Sequence, residues 1–252
     1  MSQAASPDLR PVQRQSLSDA VFEQLRDQIL RGEREPGSSL PAERALCEAL
    51  GVNRSAVREA LRRLEQAGLV VVRQGGSSRV LDYRSSTSLD LLGVLLLGAD
   101  GRFDARVVRG ILEMRSALGP DAARRAAERG GALCAERLAV AVAAMRRAQG
   151  DLAELQRLAT RFWSDLVDGA DNVAYRLAFN ALHATYDRVR ELLARPMQAE
   201  LADAASYAAL ADAIGRADAD AAEAEARALL RRGEAGVLDA LRRVAAAEWE
   251  ER

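Results

Sequence analysis

The chain contains no lysine: all 36 of its basic residues are arginine. It carries one histidine, His183, and two cysteines, Cys47 and Cys134. No glycine-rich phosphate loop and no cysteine–histidine pair stand out, so the common signatures of enzymes are missing and the chain reads as a non-enzyme. The two cysteines lie far apart, each within an apolar helical pattern, and read as small core residues in a reducing compartment. No apolar run reaches the roughly 18 residues of a membrane span. The first 15 residues lack the apolar core of a signal peptide and read as a flexible tail, so the expected location is the cytoplasm. A net charge of −1 provides no overall basic field for a polyanion.

Aromatic residues are also scarce, at 4%. Alanine and leucine dominate instead, and both favour helix. Hydrophobic residues make up 49% of the 252 and charged residues 29%, the composition of a globular chain of one large or two modest domains.

The basic charge is unevenly spread. Residues 53–84 hold seven arginines against three acids. The same region follows a defined order of elements. In "SLSDAVFEQLRDQILRG", Ser16 or Ser18 can cap a helix whose Val21, Phe22, Leu25 and Ile29 share a face. Pro36-Gly37 marks a turn. "LPAERALCEALG" reads as a short second helix, with Pro41 in its first turn and Gly51 at its end. In "GVNRSAVREALRRLEQAGLVVVRQGG", Asn53 is an N-cap and Val57, Ala60, Leu61 and Leu64 form an apolar stripe. Val70–Val72 and Arg79–Tyr83 read as strands about a Gly75-Gly76 turn. Helix, helix, helix and hairpin over residues 16–83 make a winged helix-turn-helix.

On the third helix Arg54 and Arg58 are four residues apart and share a face away from the stripe, with Arg62 continuing the row. A recognition helix needs this division, one side fixed to the domain and the other free for the major groove. Arginine's planar fork suits a phosphate or the O6 and N7 of guanine. Charged helix faces are common on solvated surfaces too, and the arginine spacing alone does not separate the two.

The stretch "LPAERALCEALGVNRSAVREALRRLEQAGLVVVRQGGSSRV" resembles the DNA-binding domain of the GntR family of bacterial regulators. The resemblance implies that Arg44, Arg54 and Arg58 contact operator DNA, with Ser55 and Ala56 at the groove and Gln74 and Gly75 at the wing tip. Where the family often has serine after Leu-Pro, this chain has Ala42, which removes a possible helix cap.

Residues 84–90 read as a polar linker, and 91–252 as an all-helical antiparallel bundle for effector binding and dimerisation. A brief apolar helix opens the bundle, Pro120 marks a kink or boundary, and helices are expected over 132–149, 151–168, 172–195, 200–216 and 218–248. The fold class is thus mainly α, a winged helix-turn-helix followed by the bundle.

An all-helical second domain of this size resembles the FadR branch of the family. Many members hold a metal between an aspartate and three histidines. At those positions this chain has Ala159, Trp163, Tyr207 and Leu229, so no metal and no cofactor are expected. The segment "ADNVAYRLAFNALHATYDRVR" is similar to the effector-domain helix of the fatty-acid-responsive members. That likeness implies a long-chain acyl-CoA effector, with Asn172, Tyr175, Tyr186, Arg188 and Arg115 at the ligand and Arg231, Arg232 and Gly233 near the CoA. A buried Arg115 or Arg188 suits a small hydroxy or keto acid equally well. The partners expected are therefore double-stranded operator DNA, a small-molecule effector and a second copy of the chain, in a homodimer that controls fatty-acid metabolism genes. An enzyme with an accessory helical domain, and a scaffold whose winged domain binds protein, are the rival classes.

Overall fold

The structure is a computed structural model. It describes residues 16–72, 77–98 and 102–250, without the side chains of 86 and 247–250. The chain divides between Ser88 and Leu89 into two compact units.

The first unit begins with α1 (Leu17–Leu30). Ser16 caps it through a reciprocal box: its hydroxyl accepts from the Asp19 N–H, and the Asp19 carboxylate accepts from the Ser16 N–H. Next come α2 (Glu43–Leu50) and α3 (Arg54–Gln66). Gly51 joins them in the left-handed conformation, φ 65° and ψ 30°, which lets the chain turn within three residues. Pro41 stands outside α2 rather than in its first turn, and Ala42 occupies the N-cap with no side-chain hydrogen bond. Asn53 caps α3 by accepting from the Ala56 N–H at 2.9 Å. Val57, Ala60, Leu61 and Leu64 are buried against Val21, Phe22, Leu25 and Ile29 of α1, which makes the core of this unit.

The hairpin is shorter than expected. β1 (Val70–Val71) and β2 (Arg79–Val80) pair antiparallel, Val70 with Val80 and Val71 with Arg79. Val72 lies outside the ladder, its N–H taken by Glu65 Oε1 at 2.8 Å. Tyr83, expected in the returning strand, instead opens a helical turn, α4 (Tyr83–Ser86), capped by Asp82. The segment read as a polar linker, residues 84–90, is partly helical.

The second unit opens with a 3₁₀ turn (Leu89–Leu91) and α5 (Leu92–Leu95), of which only Leu91 is buried. It continues through α6 (Ala105–Arg129), α7 (Gly131–Arg147), α8 (Leu152–Gly169) and α9 (Val173–Asp187). Pro120 does not end α6. It sits buried inside a continuous 25-residue helix, held there by tertiary packing despite its missing N–H. The helix expected over 172–195 stops at Asp187, and Val189, with φ −129°, separates it from α10 (Arg190–Leu193). Then come α11 (Gln198–Leu201), α12 (Ala204–Gly215) and α13 (Ala219–Glu250). α6 packs along α13, α7 along α8 and α12. Ala122, Ala123 and Ala126 of α6 and Ala222 and Ala226 of α13 are almost wholly buried, and small side chains of this kind let helix backbones lie close. No helix among the described residues is long and apolar enough to cross a membrane.

Candidate DNA-reading face and effector cavity

In the first unit α3 presents an exposed basic face. Arg54 and Ser55 stand exposed in its first turn, beside backbone N–H groups that have no intrahelical acceptor. Arg54 has no protein partner among the described residues. Arg58 donates from Nε to Glu43 Oε2 at 2.9 Å, and Arg44 to Glu48 Oε1 at 2.9 Å. Both pairs are solvent-exposed, so each is worth under about 1 kcal/mol and is readily exchanged for a phosphate. Arg63 differs, since it pairs with Asp19 and lies 4.3 Å from the centre of the Phe22 ring, tying α3 to α1. Ala56 departs from the expectation that it faces the groove. It is buried with Val57, because it stands four residues before Ala60 on the apolar face of α3. Gln74 and Gly75 lie outside the described residues.

The second unit contains a cavity of about 480 Å³ between α6, α8, α9, α10, α11 and α13. Leu112, Ala122, Val167, Phe179, Leu201 and Val237 typify its apolar wall. Leu192 and Val244 line it and are nonetheless 60% and 57% exposed, which puts its mouth beside α10 and the later half of α13.

One polar cluster interrupts the apolar wall. Arg115 of α6 donates from Nη1 to Glu200 Oε2 at 3.0 Å and from Nη2 to Oε1. The Glu200 side chain is 1% exposed. Burial works against the Arg115 charge, but the facing Glu200 carboxylate outweighs it and holds the guanidinium pKa above its ordinary value. Tyr207 donates a long hydrogen bond, 3.4 Å, to Glu200 Oε1, and its phenol is pushed well up by burial and by that carboxylate. Gln156 donates from Nε2 to the Tyr186 hydroxyl and to the Arg190 carbonyl, both at 2.7 Å. Burial raises the Tyr186 pKa to about 12, against the Gln156 bond that lowers it.

The structure gathers some of the expected effector residues here and disperses others. Arg115, Tyr175 and Tyr186 line the cavity. The Tyr175 hydroxyl is taken by Asp121. Asn172 is the N-cap of α9, accepting from the Ala174 N–H at 3.0 Å. Arg188 is exposed and packs over Gly93. Arg232 meets Asp203 and donates to Ser206 Oγ, while Arg231 borders a separate groove with Asp220 and Glu223. Gly233 belongs to the charge cluster instead: a Cβ there would collide with Glu200 Oε2. Ala159 and Trp163 line the cavity, and Tyr207 and Leu229 are fully buried, so these four positions offer neither imidazole nor carboxylate to a metal. His183 also lines the cavity, its Nδ1 3.0 Å from Asp187 Oδ2.

Sequence reading missed Glu200 and Gln156. Both carried a signal. Glu200 falls three residues after Met197 and one before Leu201, and Gln156 stands between Leu155 and Ala159, so each is a polar residue on an apolar helix face.

Comparison with known proteins agrees with this two-unit architecture. Residues 17–80 match the family "Bacterial regulatory proteins, gntR family", and residues 110–232 match the FCD domain. The chain is 43% identical over 222 residues to the HTH-type transcriptional regulator Mce2R of Mycobacterium tuberculosis, covering 88% of this chain and 92% of that protein. An uncharacterized HTH-type regulator of Mycobacterium bovis, Mb0601, matches at the same identity and the same coverage of both chains. Among solved structures, that of Lar, which controls the Listeria monocytogenes agr system, superimposes with a TM-score of 0.55 at 17% identity, over 90% of this chain and 99% of that one. The chain therefore belongs to the GntR family of bacterial regulatory proteins, as a DNA-binding transcription regulator whose second unit is an effector-binding FCD domain.

Proposed function

We propose that this regulator binds a pseudo-palindromic operator as a homodimer, and that its effector is a long-chain fatty acyl group delivered as the CoA thioester, controlling genes of fatty-acid metabolism. Each winged unit takes one half-site, since the symmetry of a dimer maps onto that of its operator. Arg54, Ser55, Arg58 and Arg44 are the contacts at the groove and its phosphates, with Gln74 and Gly75 at the wing tip.

The observation that carries the ligand reading is the long apolar wall of the 480 Å³ cavity. Its lining is almost wholly apolar, which suits an acyl chain and not the charged phosphates of CoA. The CoA portion stays outside the mouth, where Arg188 and Arg195 flank α10 and are both exposed. Arg231 and Arg232, which do not line the cavity, are dropped from this reading. A small hydroxy or keto acid is the weaker alternative, because Glu200 already fills the fork of Arg115. The effector acts by binding one arrangement of the DNA-reading units more tightly than another.

Thermal unfolding of the purified protein with hexadecanoyl-CoA, lactate or pyruvate separates the two. Stabilisation by the thioester alone supports the reading, and stabilisation by the small acids alone overturns it.

A further inference from the structure

The polar cluster of the cavity contains a complete charge pair. Among the described residues Arg115 is the one arginine in the cavity wall, and both of its terminal nitrogens are used on Glu200. Glu200 is placed by three elements at once. It projects from α11, accepts from Tyr207 of α12, and rests against the backbone of α13 at Gly233, where no side chain fits. A carboxylate held this way cannot swing aside without becoming a buried charge with no partner, which is strongly unfavourable.

The hydrogen-bonding capacity left in the cavity is neutral. Nothing among the described residues accepts the Tyr186 O–H, donates to Gln156 Oε1, or engages the Thr160 hydroxyl. His183, the other basic group in the wall, faces Asp187. An ester or thioester carbonyl can accept from the Tyr186 O–H. A carboxylate brings a full charge into an apolar chamber whose arginine is already occupied.

We infer that Glu200 is a built-in carboxylate that occupies Arg115 and so sets the ligand preference of the cavity: uncharged long-chain esters and thioesters are admitted, and the free fatty-acid anion is rejected. The inference rests on the long-chain reading above and adds to it a residue that determines specificity. Converting Glu200 to glutamine keeps its shape and leaves the Arg115 charge uncompensated, which turns the same cavity toward carboxylates.

The test uses two ligands with one chain, methyl dodecanoate and dodecanoate, titrated calorimetrically into the full-length protein at pH 8. The wild type is expected to bind the ester at least about tenfold more tightly than the anion, the penalty for an unpaired charge in such a site. In E200Q the affinity for the anion relative to the ester rises by about tenfold or more. Equal affinities in the wild type, or a preference for the anion, overturn the inference while leaving the long-chain reading intact. A folded E200Q that binds the ester with an unchanged ratio overturns it as well. Binding of neither ligand to the wild type overturns the long-chain reading and the inference with it. The wild-type comparison needs no variant, so the test survives an E200Q that does not fold.

Discussion

Gly233 and Glu200 approach so closely that a Cβ on the glycine would collide with the Glu200 carboxylate oxygen. Thirty-two residues of sequence separate them, and α13 passes the pair with its bare backbone. The ordinary rule for a helix interior is that alanine in place of glycine stabilises by up to about 1 kcal/mol. Here the sign reverses. Gly233→Ala forces Glu200 off Arg115, and the second unit loses about 3 kcal/mol as the buried pair is broken. Urea unfolding of the variant, followed by circular dichroism, measures this, and a neutral or stabilising result removes the close approach from the account.

The basic face of α3 gives a contrast between two arginines of one helix. Arg54→Ala weakens specific operator binding by about 1–3 kcal/mol if the side chain reads guanine. It leaves the unfolding midpoint unchanged, since Arg54 has no partner among the described residues. Arg63→Ala does the reverse. Its guanidinium serves Asp19 and the Phe22 ring, so stability falls and the salt dependence of DNA binding stays as it was. Fluorescence anisotropy over a salt series, with parallel denaturation, distinguishes the two.

Ala42 leaves the N-terminus of α2 without a side-chain cap. Ala42→Ser supplies the missing acceptor and stabilises the first unit by about 1 kcal/mol, the usual value of such a cap. A rise in the urea midpoint with no change in slope is the expected result.

These cases show what sequence could reveal and what it could not. The stripe of Val57, Ala60, Leu61 and Leu64 is local, so its period of 3.6 announced α3 and its exposed arginines together. Ala56 stands four residues before Ala60, so the period places it on the buried stripe, and only the family resemblance put it at the groove. Asn172 caps a helix, a role its residue type suits, and its place in a segment similar to a ligand-binding helix does not by itself distinguish cap from ligand contact. Arg115 looked like a free cation because its partner lies 85 residues on, in a helix of four residues. The cavity itself was invisible. An apolar face that closes a core and one that lines a chamber have the same pattern, and only the packing of six helices separates them.

Asp19 gives the first unit a pH dependence. The Ser16 hydroxyl and then the Arg63 guanidinium hold its carboxyl below the usual carboxylate range. A depressed value in the folded state stabilises the fold above the unfolded pKa of about 3.9 and stops doing so as pH falls through the lower folded value. Asp19→Asn is therefore less stable than wild type at pH 7, and the gap narrows at pH 3. A gap of the same size at both pH values would assign it to something other than this ionisation.

The central claim is that one ligand in the second unit changes how the first unit holds DNA. The most direct measurement titrates hexadecanoyl-CoA into the full-length protein bound to a labelled duplex that the protein itself has selected from random sequence, reading anisotropy at fixed salt. The account predicts a saturable change in operator affinity, about five- to 150-fold for coupling of ordinary size, that lactate and pyruvate do not produce. An operator affinity that stays constant while the acyl-CoA is shown to be bound would contradict it.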